Sequence, residues 1–221
     1  MTMKKLISVA SIALSFLVTI AVHAVDSYTP DPEGYIRHWV MLAPIPLTGE
    51  EAGSEAIYKQ QIRDEGALRP KAGDIVKIGG KELTWQNITA TTNFFDFNAV
   101  LESVNDRAAG YMVTYIECET EKPDVIMAVA SNDEGRIYFN GVDIYLFSEP
   151  RPLMLDADKG RVTLKKGVNV IVFKVTNEQN AWQGAMRLLD KGGAPLKDIS
   201  IKQSSKMPTS PAERKGLEPL R

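Results

Sequence analysis

Past an N-terminal leader, this chain keeps one histidine, His38, and one cysteine, Cys118. Both sit in strand-like sequence. A Ser-His-Asp or Cys-His device would need His38 as its base, and no Gly-x-Ser-x-Gly elbow precedes a helix. One His and one Cys cannot supply the usual zinc ligand set. The sequence therefore points away from nucleophilic catalysis and from zinc. Acids are more numerous. Glu102, Glu117, Asp133 and Asp143 lie on or beside expected strands. Glycoside hydrolysis needs two carboxyls roughly 5–10 Å apart across a sugar. Spacing alone brings no two of these together, so they read as solvated strand-edge acids. Asn132, Asp133 and Glu134 offer oxygens to calcium, but there is no EF-hand loop. Asp133 reads instead as a turn residue bonding its own turn backbone. No catalytic residue, metal or cofactor is expected.

Sugar binding needs an aromatic platform and a few convergent polar groups. The aromatic candidates are Trp85, Phe94, Phe95, Tyr138, Tyr145 and Trp182. Asn93, Arg136, Asp143, Asn180 and Gln183 lie near them in sequence. Trp182 shares a strand face with Gly184, Met186 and Leu188, and Trp85 alternates with Leu83, so both read as core. Two adjacent aromatics cannot both point inward from an extended strand, which leaves one of Phe94 and Phe95 open to solvent. In Arg136–Phe139, Ile137 and Phe139 should point in and Arg136 and Tyr138 out. The expected ligand-binding set is Arg136, Tyr138, Asn93, Phe94 and Tyr145, with the Arg136–Tyr138 pair foremost.

These residues must be positioned by strands. From Asp74 onward, short strand-like runs, among them Asp96–Val104, Val142–Phe147, Arg161–Leu164 and Gln183–Leu189, follow one another with turns such as Gly79-Gly80, Asn140-Gly141 and Lys165-Lys166-Gly167 between them. Many short strands without intervening helices indicate an antiparallel sandwich. Asn-Gly is the strongest short hairpin signal. Tyr111–Glu117 is partly apolar on both faces and should be covered on two sides. Val168–Val175 is apolar apart from Asn169 and Lys174, the mark of a central strand. Tyr35–Leu42 reads as the first strand, ended by Pro44 and Pro46. Thr48-Gly49-Glu50-Glu51 is a capping box that predicts a helix running to Glu65, with Gly66 as its stop. The expected fold is all-β: an antiparallel jelly-roll β-sandwich with one short helix after the first strand.

The ends are distinct. Lys4 and Lys5 precede an apolar run from Leu6 to Val22, and Val22-His23-Ala24 fits signal-peptidase cleavage after Ala24. Residues 1–24 therefore read as a signal peptide, 25–202 as the folded domain and 203–221 as a disordered tail rich in proline. The alternative for the leader is an uncleaved anchor. A secreted or periplasmic chain with one thiol has no internal disulfide, and Cys118 is expected to be buried as a small apolar group. The whole chain carries 26 basic and 28 acidic residues. Losing Lys4 and Lys5 shifts its net charge from −2 to −4. That acidity, with no basic cluster, argues against nucleic acid and anionic membranes as partners.

Trp39 to Pro46, Ala109 to Ile116, Ser131 to Gly135 with Asn140-Gly141, Leu164 to Asn169 with Phe173-Lys174-Val175, and Trp182 with Arg187-Leu188 together form a pattern. It resembles a galactose-binding-like jelly-roll module of secreted bacterial proteins, the fold of many carbohydrate-binding modules. Ala43 stands where that pattern has Gly, and Asn132-Asp133 replaces Asp-Asp. The resemblance implies a non-catalytic sandwich that binds poly- or oligosaccharide. The alternatives are an interaction or scaffolding subunit contacting a cell-envelope protein and, third, a carboxylate-dependent glycan-active enzyme. An exposed aromatic in a polar groove would favour the first, a flat apolar patch the second, and two acids across a deep cleft the third.

Overall fold

The computed structural model describes residues 27–48 and 54–205. The expected signal peptide and most of the expected tail lie outside them. Fourteen strands and one short helix follow in order: β1 Ser27–Tyr28, β2 His38–Pro46, β3 Ile75–Ile78, β4 Lys81–Thr84, β5 Gln86–Thr89, β6 Phe95–Asp96, α1 Phe97–Leu101, β7 Ala108–Cys118, β8 Lys122–Asn132, β9 Gly135–Phe139, β10 Val142–Phe147, β11 Asp158–Leu164, β12 Gly167–Asn177, β13 Gln183–Leu189 and β14 Ser200–Lys202.

Two antiparallel sheets form a sandwich. The larger runs β1-β14-β7-β12-β9-β10, with β2 also on β7 and β5 on β2. The smaller runs β11-β8-β13-β6, and β3 and β4 make a separate hairpin. Between the sheets lies a core that includes Met112, Ile137, Ile171 and Phe173 from one side and Met127, Val129, Trp182 and Met186 from the other. A second apolar layer covers the outer face of the larger sheet. There Tyr111, Val113, Tyr115 and Val172 meet Trp85, Ala56 and Leu68. β7 is thus buried on both faces, as its sequence predicts. β12 is central, flanked by β7 and β9.

Turn chemistry sets the registers. Asn140 and Gly141 both have positive φ, 50° and 88°, and Val142 pairs with Phe139 across a two-residue turn. That backbone twist matches the strands it joins. The Asn169 side chain braces two turns by accepting from the Lys165 N–H and from Asn140 Nδ2, each at 2.9 Å. Gly110 is required by space. A methyl group there would lie 2.5 Å from the Phe97 ring and 2.7 Å from the Trp182 ring, which are stacked with centroids 4.1 Å apart. Gly110→Ala should cost about 1–3 kcal/mol through overpacking, read from urea midpoints; an unchanged midpoint would contradict this packing.

The helix is displaced from its expected position. Residues 54–65 hold only a 3-10 turn at Ser54–Ile57, with another at Glu65–Ala67, and Gly49 to Gly53 of the expected helix lie outside the described residues. The sheet takes this segment's carbonyls for itself. Lys174 Nζ donates to the oxygens of Ala56 and Lys59, and Arg136 donates to those of Ile57 and Tyr58. Gly66 is not a helix stop. A side chain there would lie 2.8 Å from the Gly141 oxygen, so it marks a close backbone approach. Among the described residues the one α-helix is α1, within the stretch Asp96–Val104 read as a strand. Asp96 caps it by accepting from the Ala99 N–H at 3.0 Å. β2 also continues through Pro44 to Pro46, across a register shift between Leu42 and Ile45. Gln203, expected in the tail, is buried and donates to the carbonyls of Trp39 and Ile88 at 2.8 Å.

Candidate binding cleft

The sandwich opens along one side, where the edge strand β10 of the larger sheet passes the edge strand β11 of the smaller. A register shift between Asp143 and Tyr145 puts Tyr145 opposite Ile137, on the core side. On β11, Gly160 pairs with Met127 and contributes no side chain. The gap is a cleft of about 160 Å³ lined by Met127, Val129, Ile144, Tyr145, Asp158 and Val162 among others. Its polar end is tightly built. Arg151 Nη2 donates to Asp158 Oδ2 at 2.6 Å and to the Tyr145 hydroxyl at 2.8 Å. The Tyr145 hydroxyl donates to Asp158 Oδ2 at 2.8 Å. Burial, then the Asp158 hydrogen bond, raises the Tyr145 pKa, so its hydroxyl stays protonated. Arg151 also donates to the Ser131 carbonyl at 3.3 Å and lies 3.5 Å over the Phe147 ring. An aromatic ring and a carboxylate therefore meet in the slot, with Arg151 bonded to both from outside its lining and Lys159 and Arg161 on the β11 side.

The five residues expected to bind ligand are spread over three places. Tyr145 is in the cleft. Asn93 and Phe94 are on the outer face of the smaller sheet. Asn93 accepts from Arg37 at 2.9 Å and donates to Glu33 at 2.8 Å, while Phe94 is half-buried against Tyr35, Ala130 and Ala185. Phe95 is the adjacent aromatic that points inward. Arg136 and Tyr138 do share the outer face of β9, but that face is covered. Tyr138 is 6% exposed, and its hydroxyl donates to Glu65 at 2.9 Å. Arg136 pairs with Asp143 at 2.6 Å. The expected open surface is instead the bed on which residues 54–70 lie, because Glu65 reaches buried partners there.

The expected core residues are placed as their sequence context suggests, while three of the four singled-out acids are bonded rather than free in solvent. Cys118, Trp85 and Trp182 are buried. Burial raises the Cys118 thiol pKa. His38 stacks on Tyr28 at 3.6 Å. Of the four singled-out acids, Glu117 pairs with Lys202 and Asp143 with Arg136, while Glu102 ends α1. Asp133 accepts from the Glu178 N–H at 2.8 Å, so it ties the 131–135 turn to a neighbouring turn rather than to itself. Among the described residues no group of three or more metal-binding side chains gathers.

Sequence reasoning missed Asp158, Arg151 and Gly160. β11 was read from Arg161, three residues late, which left Asp158 and Gly160 in a loop. Arg151 lies between Pro150 and Pro152, with no periodicity to mark it.

No family model matches the sequence, and no curated protein matches it. Among solved structures, the crystal structure of the PA14 domain of the MpAFP antifreeze protein aligns with a TM-score of 0.41 and 12% identity. The alignment covers 85% of this chain and 100% of that one. The fold stands on the two sheets themselves: an all-β antiparallel sandwich.

Proposed function

We propose that this protein is a non-catalytic, secreted or periplasmic binding module whose cleft between β10 and β11 takes a sugar ring. One observation carries the reading: Tyr145 and Asp158, hydrogen-bonded to each other and held by Arg151 from outside the lining, meet in a mostly apolar slot. A pyranose has an apolar C–H face and a rim of hydroxyls. The Tyr145 ring suits the first, and Asp158, with Lys159 and Arg161 of the same lining, suits the second. At about 160 Å³ the cleft is below the range of roughly 300–1,000 Å³ usual for drug-sized ligands. It fits one ring or a chain end rather than a long stretch of polymer. Asp158 is the one carboxylate among the described cleft residues. Glycoside hydrolysis would need a second across the sugar. This supports binding over catalysis.

The test is affinity electrophoresis on plant and algal polysaccharides beside a glycan array, with Gly160→Phe as the blocking variant. A side chain at Gly160 meets no atom within 4 Å, so the variant should fold and fill the slot. Retention of the natural chain on at least one glycan is expected, with affinity lowered about tenfold or more in Gly160→Phe. Retention on no glycan, or retention that Gly160→Phe leaves intact, would overturn the proposal.

A further inference from the structure

Free sheet edges invite pairing unless they are short, charged or covered. Among the described residues, most edges here are blunted. β1 and β6 have two residues each, and β5 is a short polar Gln-Asn-Ile-Thr strand. The β3–β4 hairpin carries Lys77, Lys81 and Glu82, and β11 carries Lys159 and Arg161. β10 differs. It has six residues, Val-Asp-Ile-Tyr-Leu-Phe, and pairs β9 on one side only. Val142 is 62% exposed, and Ile144 and Leu146 are each 41% exposed. Its single charge, Asp143, is already paired with Arg136.

The ends of β10 carry opposite charge. Glu149 follows its C-terminal end, exposed and outside every ion pair of the described residues. At its N-terminal end, the Asn140-Gly141 turn is bound through Asn169 to the turn bearing Lys165 and Lys166. Both lysines are exposed and outside every ion pair of the described residues. An edge with an acid past one end, and a basic turn two strands in from its other end, complements a second copy of itself in antiparallel alignment only. Such alignment is also what a two-fold, isologous contact gives.

We infer that β10 is a self-association edge, on which the β10 of a second copy adds antiparallel to continue the larger sheet. A register centred on Tyr145 sets Glu149 opposite the second copy's Gly141, beside the lysine-bearing turn. It sets Asp143 opposite Phe147, so like charges do not meet. The inference does not depend on the sugar reading.

Sedimentation velocity on the purified protein tests it. A monomer–dimer equilibrium is expected with a dissociation constant on the order of 10 µM, weakening as salt rises. Leu146→Lys should abolish the dimer while leaving the thermal midpoint near that of the natural chain. Glu149→Lys should weaken it about tenfold, and combining it with Lys165→Glu and Lys166→Glu should restore it. A protein monomeric throughout the micromolar range would overturn the inference. So would a dimer that survives Leu146→Lys, or a Glu149→Lys defect that charge reversal does not rescue.

Discussion

Replacing Lys174 by methionine should destabilise the protein by about 3–5 kcal/mol, the range expected when one member of a buried ion pair is removed. Lys174 and Glu65 are both fully buried and lie 3.2 Å apart. Lys174 also donates to the Ala56 and Lys59 carbonyls. Glu65 accepts from the Tyr111 and Tyr138 hydroxyls. Burial alone would drive the lysine toward its neutral form, and its pKa is lowered despite the opposing pull of Glu65. Methionine keeps the apolar stem but leaves the Glu65 charge without its cation in a site closed to water. Glu65→Leu should do comparable damage by stranding Lys174. The double variant should be more stable than either single one, since no buried charge remains. Urea denaturation of the three variants measures this. Single variants that cost under about 1 kcal/mol would show that the pair does not hold the 54–70 segment to the sheet. Amide hydrogen exchange across residues 54–70 should quicken in the single variants, because that segment depends on this pair for its hold on the sheet.

Glu134→Gln should stabilise the protein at pH 8 and do little at pH 4. Glu134 is fully buried. One of its oxygens accepts from the Thr176 hydroxyl and the other has no partner. Burial pushes its carboxyl from the usual 4.5 up to about 7. The folded value lies above the unfolded one for an acid. Between those pH values the folded chain keeps a proton that the unfolded chain has lost, so stability falls as pH rises. The loss begins near pH 4.5, is complete just above pH 7 and is absent in strongly acidic solution. Its size is on the order of 3 kcal/mol, or roughly 6–12 °C in thermal midpoint for a domain of this length. Burial raises the neighbouring Asp133 carboxyl as well, which adds a slope of the same sign. Thermal melts of the natural chain and Glu134→Gln at pH 4, 6 and 8 read the difference directly. Parallel midpoint-versus-pH curves would mean that Glu134 ionises in the folded state without penalty.

Strand content was legible because it rests on local signals. Val142–Phe147 and Gln183–Leu189 match their strands end to end, and the Asn140-Gly141 turn is where its dipeptide places it. The two-sided burial of Tyr111–Glu117 followed from apolar residues on both faces. The errors share a cause. Residues 54–65 form no α-helix because sheet cations bond that segment's carbonyls, and no local pattern records partners more than 70 residues away. Arg136 and Tyr138 point outward from the inter-sheet core as alternation requires. Alternation says which face a residue is on, not whether another segment lies on that face.

The sequence by itself determined the sandwich, its central strands, the buried cysteine and the inward-facing tryptophans, since periodicity and turn residues act within a few positions. Only the tertiary structure decided what the outward side chains do. It covered Arg136 and Tyr138 with a segment from earlier in the chain, and it carried Asn93 and Phe94 to the other sheet. It also brought Arg151 and Asp158 to Tyr145. Those placements depend on contacts between strands and loops far apart in sequence, which spacing cannot encode.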